Sequence, residues 1–253
     1  GLQHQDGHSH VTASTIPNCV SYDPAYGYEL ALIIHDGLRR MYAEQENVHY
    51  YLTVMNENYL QPPLPDRPGV REGILRGMYL LQEGPAKARL KVQLLGSGTI
   101  LRSVLKAAEL LQQDWGIASD VWSVTSFNEL RRDGLDVERW NLLHPESEAR
   151  STWVERCLKE RRGPAIAATD YMKLYADQIR RWVPMPYKVL GTDGFGRSDS
   201  RQRLRHFFEV DERFVTVAAL KALADAGELP AAKVAEAIAR YAIDVKKPNP
   251  VGV

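Results

Sequence analysis

The sequence has 253 residues, of which 44% are hydrophobic and 25% charged, and its formal net charge is zero. These values are ordinary for a globular protein, and the length allows one large domain or two smaller ones. The balanced charge argues against a nucleic-acid footprint or a membrane-binding patch, and no apolar run reaches the roughly 18 residues of a membrane span.

The first sixty residues begin with a polar stretch and continue with short alternating elements. Residues 1–15 show little apolar periodicity and predict a loop, and we expect the chain to be a piece of a longer protein because it starts at Gly1 without Met. The pattern then predicts a strand over 16–21, a helix over 25–42 and a strand over 48–55.

A change in composition follows. Residues 61–70 contain four prolines and one glycine, which is typical of a linker. We therefore predict an N-terminal unit over residues 1–62, a linker over 63–90 and a second domain over 91–253.

The second part alternates between strands and helices. The predicted strands cover 91–95, 120–124, 165–168, 187–191 and, as a strand that closes the sheet, 213–218. Helices are predicted over 100–113 and 231–241. This alternation predicts an α/β fold with a mostly parallel sheet and right-handed crossovers.

The opening loop holds the first candidate site, with His4, Asp6, His8 and His10. Three histidines can bind a metal, but their spacing on a loop matches no zinc pattern, so a solvated polar loop is an alternative. A catalytic role would require a histidine with a pKa near neutral and a neighbouring carboxylate such as Asp6. The residues alone leave these three readings open.

Two glycine turns and a basic cluster complete the candidates. Residues 96–98 can be a tight turn into a helix or, less favoured, an anion site, because the full dinucleotide-binding fingerprint is absent. Residues 193–196 predict a turn with glycines at positive φ. A solvated helix face or a salt-bridge surface is the default for the cluster, and anion or partner contact is the minority reading. Its members are Arg197, Arg201, Arg203, Arg205 and His206.

The two cysteines and the early tyrosines suggest packing. Cys19 and Cys157 are too few for a disulfide framework, and we expect core thiols in a reducing cytoplasm. A dense set of tyrosines fits either a buried interface or an ordinary core. It comprises Tyr22, Tyr26, Tyr28, Tyr42, Tyr50, Tyr51 and Tyr59.

Four stretches, at residues 1–10, 16–26, 55–59 and 191–200, resemble one family. They are similar to the homodimeric, thiamine-diphosphate-dependent pyruvate dehydrogenase component of the transketolase-like superfamily, and the resemblance runs over essentially the whole chain. The family commonly has Glu where this chain has Gln5. The resemblance implies that residues 1–62 end a pyrimidine-binding domain and that residues 91–253 form a transketolase C-terminal-like domain.

The resemblance also implies an activity. Members decarboxylate pyruvate with thiamine diphosphate and Mg²⁺ and transfer the acetyl group to lipoamide on a dihydrolipoyl acetyltransferase partner. They act as cytoplasmic homodimers, without nucleic acid or membrane as partner. The resemblance places His4 in the active centre for orientation or proton transfer, with Asp6, His8 and His10 as further substrate contacts. It places the cofactor and metal contacts mainly outside this chain, so no cofactor-binding or metal-binding residue is assigned.

Two alternatives remain beside this interpretation. Transketolases have a similar loop whose substrate contacts would fall on Asp6 and His10, but a phosphate-binding arginine of that family is replaced here by Asp23. An aspartate would repel a phosphate, which favours a small ketoacid. The isolated chain can also be a non-catalytic folding and dimerisation module.

Overall fold

The computed structural model of the chain describes residues 5–253. Two sheets organise this part, a two-stranded one near the N-terminus and a five-stranded one formed by later residues. The strands are β1 (Cys19–Tyr22), β2 (His49–Leu52), β3 (Met78–Gln82), β4 (Lys91–Gly96), β5 (Ala118–Val124), β6 (Ala165–Ala168) and β7 (Tyr187–Leu190).

Ten α-helices of the described residues surround these strands. They are α1 (Ser9–Ala13), α2 (Gly27–Leu38), α3 (Val70–Arg76), α4 (Leu101–Trp115), α5 (Phe127–Leu143), α6 (Trp153–Leu158), α7 (Lys173–Asp177), α8 (Arg201–Phe207), α9 (Glu212–Asp225) and α10 (Ala231–Arg240). No helix in this part of the chain combines the length and the apolar composition that crossing a membrane requires.

The larger sheet has the order β3-β5-β4-β6-β7. The β5, β4, β6 and β7 pairings are parallel, and only β3 runs antiparallel, against β5. The predicted α/β class with a mostly parallel sheet is therefore confirmed, because each parallel pair requires a crossover that the intervening helices provide.

Both faces of this sheet are covered. Successive strand residues point to opposite faces, so Leu94 packs in one apolar cluster with Leu101 of α4 and Leu220 of α9. Leu95 packs in the other cluster with Phe127 of α5. The central strand β4 is buried along its whole length, as expected for a strand between two helical layers.

The smaller sheet pairs β1 with β2 in parallel, with Cys19 opposite His49 and Tyr22 opposite Leu52. Its apolar cluster includes Val20 and Ile33 of this region together with Ile74 of α3 and Tyr79 of β3. The tyrosines divide: Tyr22 is fully buried in this core, whereas Tyr42 is largely exposed.

Three predicted segments differ from the structure. The predicted loop over 1–15 contains helix α1, whose buried face carries His10 and Ala13. The predicted linker over 63–90 contains α3 and β3. Pairing with β5 makes β3 part of the main sheet, because its apolar side chains find partners about 40 residues away in sequence.

Residues 213–218, predicted as a sheet-closing strand, lie in helix α9. The Val and Thr residues there favour a strand locally, but Val215, Ala219 and Leu223 recur at helical spacing and are all fully buried. The Asp211 carboxylate accepts hydrogen bonds from the amides of Arg213 and Phe214 and caps the helix.

Candidate active site

The polar segment with His4, Asp6, His8 and His10 is called the histidine loop here, and Asp6 stabilises its turn before α1. Its Oδ1 accepts hydrogen bonds from the amides of His8 at 3.0 Å and Ser9 at 2.9 Å. His8 Nδ1 lies 3.7 Å from the same oxygen, and the His8 side chain is 71% exposed. Asp6 therefore fixes the turn before α1 and leaves the His8 ring in solvent. His4 lies outside the described residues.

His10 has a different environment. Its ring is fully buried, stacks on Tyr175 at 4.7 Å and meets the edge of Tyr171 at 4.6 Å between centroids. Burial lowers the pKa of His10 to about 4, against the opposing charge of Asp6. The ring is therefore neutral at pH 7, and the His10 side chain is not part of an exposed polar loop.

The buried carboxyl of Asp23 lies next to His10 through one hydroxyl. Thr53 Oγ1 is 2.9 Å from His10 Nε2 and 2.8 Å from Asp23 Oδ1. Ser97 donates to the other oxygen, Oδ2, at 3.0 Å, and its hydroxyl is 2.9 Å from that of Thr169. Burial raises the pKa of Asp23 to about 7, although hydrogen bonds from Thr53 and Ser97 oppose the shift.

This position explains the turn at residues 96–98. A Cβ at Gly98, which has φ +49°, would stand 2.5 Å from an Asp23 carboxylate oxygen. The glycine therefore makes room for the carboxyl, and the group that occupies this turn is the chain's own side chain. In the part of the chain that the structure describes, Asp23 is buried and bonded to Thr53 and Ser97, so the phosphate argument stays a prediction.

A cavity of about 580 Å³ lies where β6 and β7 end. Carboxyl ends of parallel strands are the usual place for ligand sites in α/β folds. Asp6, His8 and Asp170 line it, together with Arg201 and Arg205 from α8. The cavity brings together two of the four predicted site residues, Asp6 and His8, and does not include His10.

The turn at residues 193–196 also lines the cavity. Gly194 and Gly196 have φ values of +113° and +80°, which confirms the predicted positive-φ turn. The amide of Met172 donates to Gly7 O at 2.7 Å, so the histidine loop is bonded to the segment after β6. Asp170 could have been singled out from the sequence, since it comes two residues after a predicted strand; burial raises its pKa.

Arg205 of the basic cluster and Arg102 of α4 form salt bridges with Glu57. Arg102 Nη1 donates to Glu57 Oε1 at 2.7 Å, and Arg205 Nη2 donates to Oε2 at 2.5 Å. Thr99 Oγ1 donates to Oε2 at 3.0 Å. Burial opposes ionisation, but the hydrogen bond and charge of Arg205, with the bonds from Thr99 and Arg102, hold the pKa of Glu57 at about 2. The salt-bridge reading is confirmed for Arg205, whereas Arg203 is 79% exposed.

The metal hypothesis for the opening loop includes His4, which lies outside the described residues, and it stays a prediction. Residues 5–253 contain no group of three His, Cys, Asp or Glu side chains that could hold a metal ion. His8 is in solvent and His10 is bonded to Thr53. Cys19 is buried and Cys157 half-buried, and both are free, as expected for core thiols.

Family models match two parts of the chain. Residues 1–62 match the pyruvate dehydrogenase E1 component middle domain, and residues 77–211 match the transketolase-like TK C-terminal domain.

Curated relatives match over nearly the whole chain. The pyruvate dehydrogenase E1 component of Pseudomonas aeruginosa is 65% identical over 252 residues, which is 99% of this chain and 28% of the relative. The E1 component of Escherichia coli (strain K12) is 58% identical over 254 residues, with 99% and 28% covered. The chain thus spans about 28% of the length of these relatives.

Solved structures agree in fold. Transketolase from Leishmania mexicana has a TM-score of 0.63 at 16% identity, covering 89% of this chain and 28% of that one. A transketolase from Pichia stipitis in complex with sedoheptulose-7-phosphate has a TM-score of 0.61 at 19% identity, covering 90% and 29%. At this identity the likeness concerns the fold alone.

Proposed function

The chain belongs to the transketolase-like C-terminal domain family, and we propose that it works as part of a pyruvate dehydrogenase E1 component. In this proposal the whole enzyme oxidatively decarboxylates pyruvate and transfers the acetyl group to lipoamide on a dihydrolipoyl acetyltransferase partner. The observation that carries the proposal is the 65% identity to a named E1 component over 252 residues.

The proposed cofactors are thiamine diphosphate and Mg²⁺. Thiamine diphosphate, when bound, supplies the ylid chemistry that makes loss of carbon dioxide from a ketoacid possible. Residues 5–253 contain no carboxylate and histidine group suited to a metal ion. As the family resemblance implies, we propose that the parts of the relatives' length that this chain does not span hold the Mg²⁺ and most of the cofactor.

Within this chain, the histidine loop is the proposed contribution to the active centre. His4 is the proposed catalytic residue, for orientation or proton transfer. Asp6 and His8 are proposed substrate contacts, supported by their place on the wall of the cavity at the ends of β6 and β7. His10, the third proposed contact, is buried behind the loop and bonded to Thr53, which supports a neutral hydrogen-bonding role.

A transketolase activity is the competing proposal. It draws on the solved transketolase structures, but their 16–19% identity to this chain supports a shared fold and gives no information about the substrate. Identities of 58–65% to E1 components favour pyruvate. Homodimer formation and a cytoplasmic location are proposed together with the pyruvate dehydrogenase activity. As an isolated chain, the protein is proposed to be a folding and dimerisation module.

An exchange experiment tests the activity. The matching segment of the Pseudomonas aeruginosa E1 component is replaced by this chain, and the purified hybrid is assayed for pyruvate-dependent acetylation of lipoamide with thiamine diphosphate and Mg²⁺. We expect activity within about tenfold of the parent, because the two segments are 65% identical. A folded dimeric hybrid without activity on pyruvate would contradict the proposal.

Two variants of the hybrid refine it. His4→Ala should lower kcat/KM by at least about 100-fold, a size common for loss of a general acid or base. His35→Ala is the matched control, since it removes an exposed histidine from α2, away from the histidine loop. Equal activities of the two variants would remove His4 from the site. A hybrid that acts on sugar phosphates and not on pyruvate would favour the transketolase alternative.

A further inference from the structure

In the buried network around Asp23, the number of hydrogens on each polar group determines which group donates each hydrogen bond. An ionised carboxylate only accepts hydrogen bonds, and a threonine hydroxyl has one hydrogen to donate. Thr53 Oγ1 lies 2.8 Å from Asp23 Oδ1 and 3.4 Å from the Tyr22 carbonyl. When Asp23 is ionised, these two neighbours are acceptors, and the shorter contact directs the Thr53 hydrogen to the carboxylate.

The direction of that bond determines the state of His10. With its hydrogen directed to Asp23, Thr53 can only accept from His10 Nε2, 2.9 Å away. His10 is then neutral with its proton on Nε2, and Nδ1 carries a free lone pair. His10 Nδ1 is buried and has no hydrogen-bond partner in the structure as described over residues 5–253.

We infer that Asp23, when ionised, is a positioning residue that acts through Thr53 to hold His10 in the Nε2–H tautomer, which leaves Nδ1 as a hydrogen-bond acceptor. The geometry makes the ring an acceptor for a hydroxyl or amide donor and not a source of protons. The use of this acceptor in catalysis rests on the proposed function, whereas the tautomer itself is a property of the chain.

The surroundings of Asp23 are built for this contact. The Asp23 amide donates to Thr125 O at 2.8 Å, and its carbonyl accepts from the Gly98 amide at 3.0 Å. Ser97 holds the second carboxylate oxygen. The carboxyl is thus bonded at both oxygens and its backbone at both sides, so that it cannot turn away from Thr53. The His10 ring is equally confined, between Tyr171 and Tyr175.

The test reads the tautomer directly. The 253-residue chain is labelled with ¹⁵N at histidine, and long-range ¹H–¹⁵N spectra are recorded at pH 8, where Asp23 is ionised. The His10 signals are assigned by their loss in His10→Asn. We expect a protonated, pyrrole-type Nε2 and an unprotonated, pyridine-type Nδ1. A proton on Nδ1, or rapid exchange between tautomers, would overturn the inference.

Matched hydroxyl deletions separate positioning from general loosening. Thr53→Val removes the hydroxyl between Asp23 and His10, and we expect the two ¹⁵N shifts to move toward each other as the tautomers mix. Thr53→Ser should restore the wild-type pattern. Ser97→Ala removes the bond to the other oxygen of Asp23 without touching His10. Because that bond lowers the pKa of Asp23, the Ser97→Ala and wild-type spectra are compared at pH 9 as well, where the variant should keep the wild-type pattern.

Two further outcomes of these spectra also test the role of Thr53. Equal spectra for Thr53→Val and Ser97→Ala would show that Thr53 has no special role. If Thr53→Val does not fold, the wild-type, Thr53→Ser and Ser97→Ala spectra still report the tautomer. None of these spectra requires activity, so failure of the pyruvate assay leaves the inference standing, and the reverse also holds.

Discussion

Two carboxyl groups lie at the junction between the small sheet and the large one, and their pKa values are shifted in opposite directions. Asp23 and Glu57 both take a hydroxyl from the turn and helix start after β4, Ser97 for the first and Thr99 for the second. Yet the pKa of Asp23 is raised to about 7 and that of Glu57 lowered to about 2.

The difference lies in the neighbouring cations. Glu57 is half-buried and has Arg102 and Arg205 within hydrogen-bonding distance. Asp23 is buried, and its carboxyl accepts hydrogen bonds from the Thr53 and Ser97 hydroxyls, so desolvation dominates its pKa. The Glu57 cluster therefore joins two parts of the chain by charge, whereas the Asp23 network can change its protonation and direct a histidine.

The largest effect is expected from the pH dependence of Asp23. Its pKa is about 7 in the folded chain and near 3.8 when unperturbed, so between these values the folded state binds a proton that the unfolded state has released. The stability from this group is present at low pH and lost as the pH rises toward 7. Asn does not titrate, so the free energy of unfolding of wild type relative to Asp23→Asn should fall by roughly 2–4 kcal/mol over this range.

Urea unfolding of both forms at several pH values measures this difference. The charges of Asp170 and Glu29 act on Asp23 in the same direction as burial and stay in both forms. Parallel stability curves for the two forms would show that Asp23 has an ordinary pKa.

The second effect concerns the charged junction. Glu57→Gln leaves Arg205 and Arg102 without their carboxylate and should lower the free energy of unfolding by about 2–3 kcal/mol at pH 7. Because the pKa of Glu57 is lowered, its contribution is present above about pH 4.5 and lost as the pH falls toward 2. The gap between wild type and variant should therefore close on acidification, in contrast to the Asp23 pair.

An exposed pair provides the control for Glu57. Glu72→Gln removes the partner of Arg76 in a surface pair whose side chains are 54% and 42% exposed. Such pairs contribute at most about 1 kcal/mol. If Glu57→Gln and Glu72→Gln lose the same free energy of unfolding in denaturant, then Arg102 and Arg205 contribute no more than a surface contact.

The third effect tests the space that Asp23 occupies. Gly98→Ala and Gly116→Ala both place a methyl group at positive φ, at +49° and +63°. A Cβ at Gly116 meets nothing within 4 Å, whereas one at Gly98 would press on the Asp23 carboxyl. The backbone penalty of about 1–2 kcal/mol is common to both, and thermal unfolding should show an additional loss of roughly 1–2 kcal/mol for Gly98→Ala alone.

The smallest effect is expected within the basic cluster. Arg203 is 79% exposed and lies 3.9 Å from Asp199, so Arg203→Ala should change the free energy of unfolding by less than about 0.5 kcal/mol. Arg205 is 15% exposed and is bonded to Glu57, and its removal should cost about 2 kcal/mol. Urea midpoints that rank the two variants in the opposite order would contradict the assignment of Arg205 to the junction.

The sequence by itself determined the strands and helices whose patterns are local. β4, α4, β6, β7 and α10 lie where apolar periodicity predicts them, and the motifs at residues 1–10 and 191–200 indicated the family. These features could be predicted because each is encoded within about 15 consecutive residues. The predicted units 1–62 and 91–253 stay predictions, as do the roles of His4, Asp6 and His8.

Only the tertiary structure decided what the polar residues contact. β3 joins the sheet through partners in β5, and α9 is helical because its buried face packs against α4. Asp23 appeared from the sequence to be a residue that repels a ligand, but folding buries it beside Thr53 and Ser97. The distance between Asp23 and Ser97 along the chain is 74 residues. Burial and hydrogen bonding, which set a pKa, arise between such distant segments and have no local pattern.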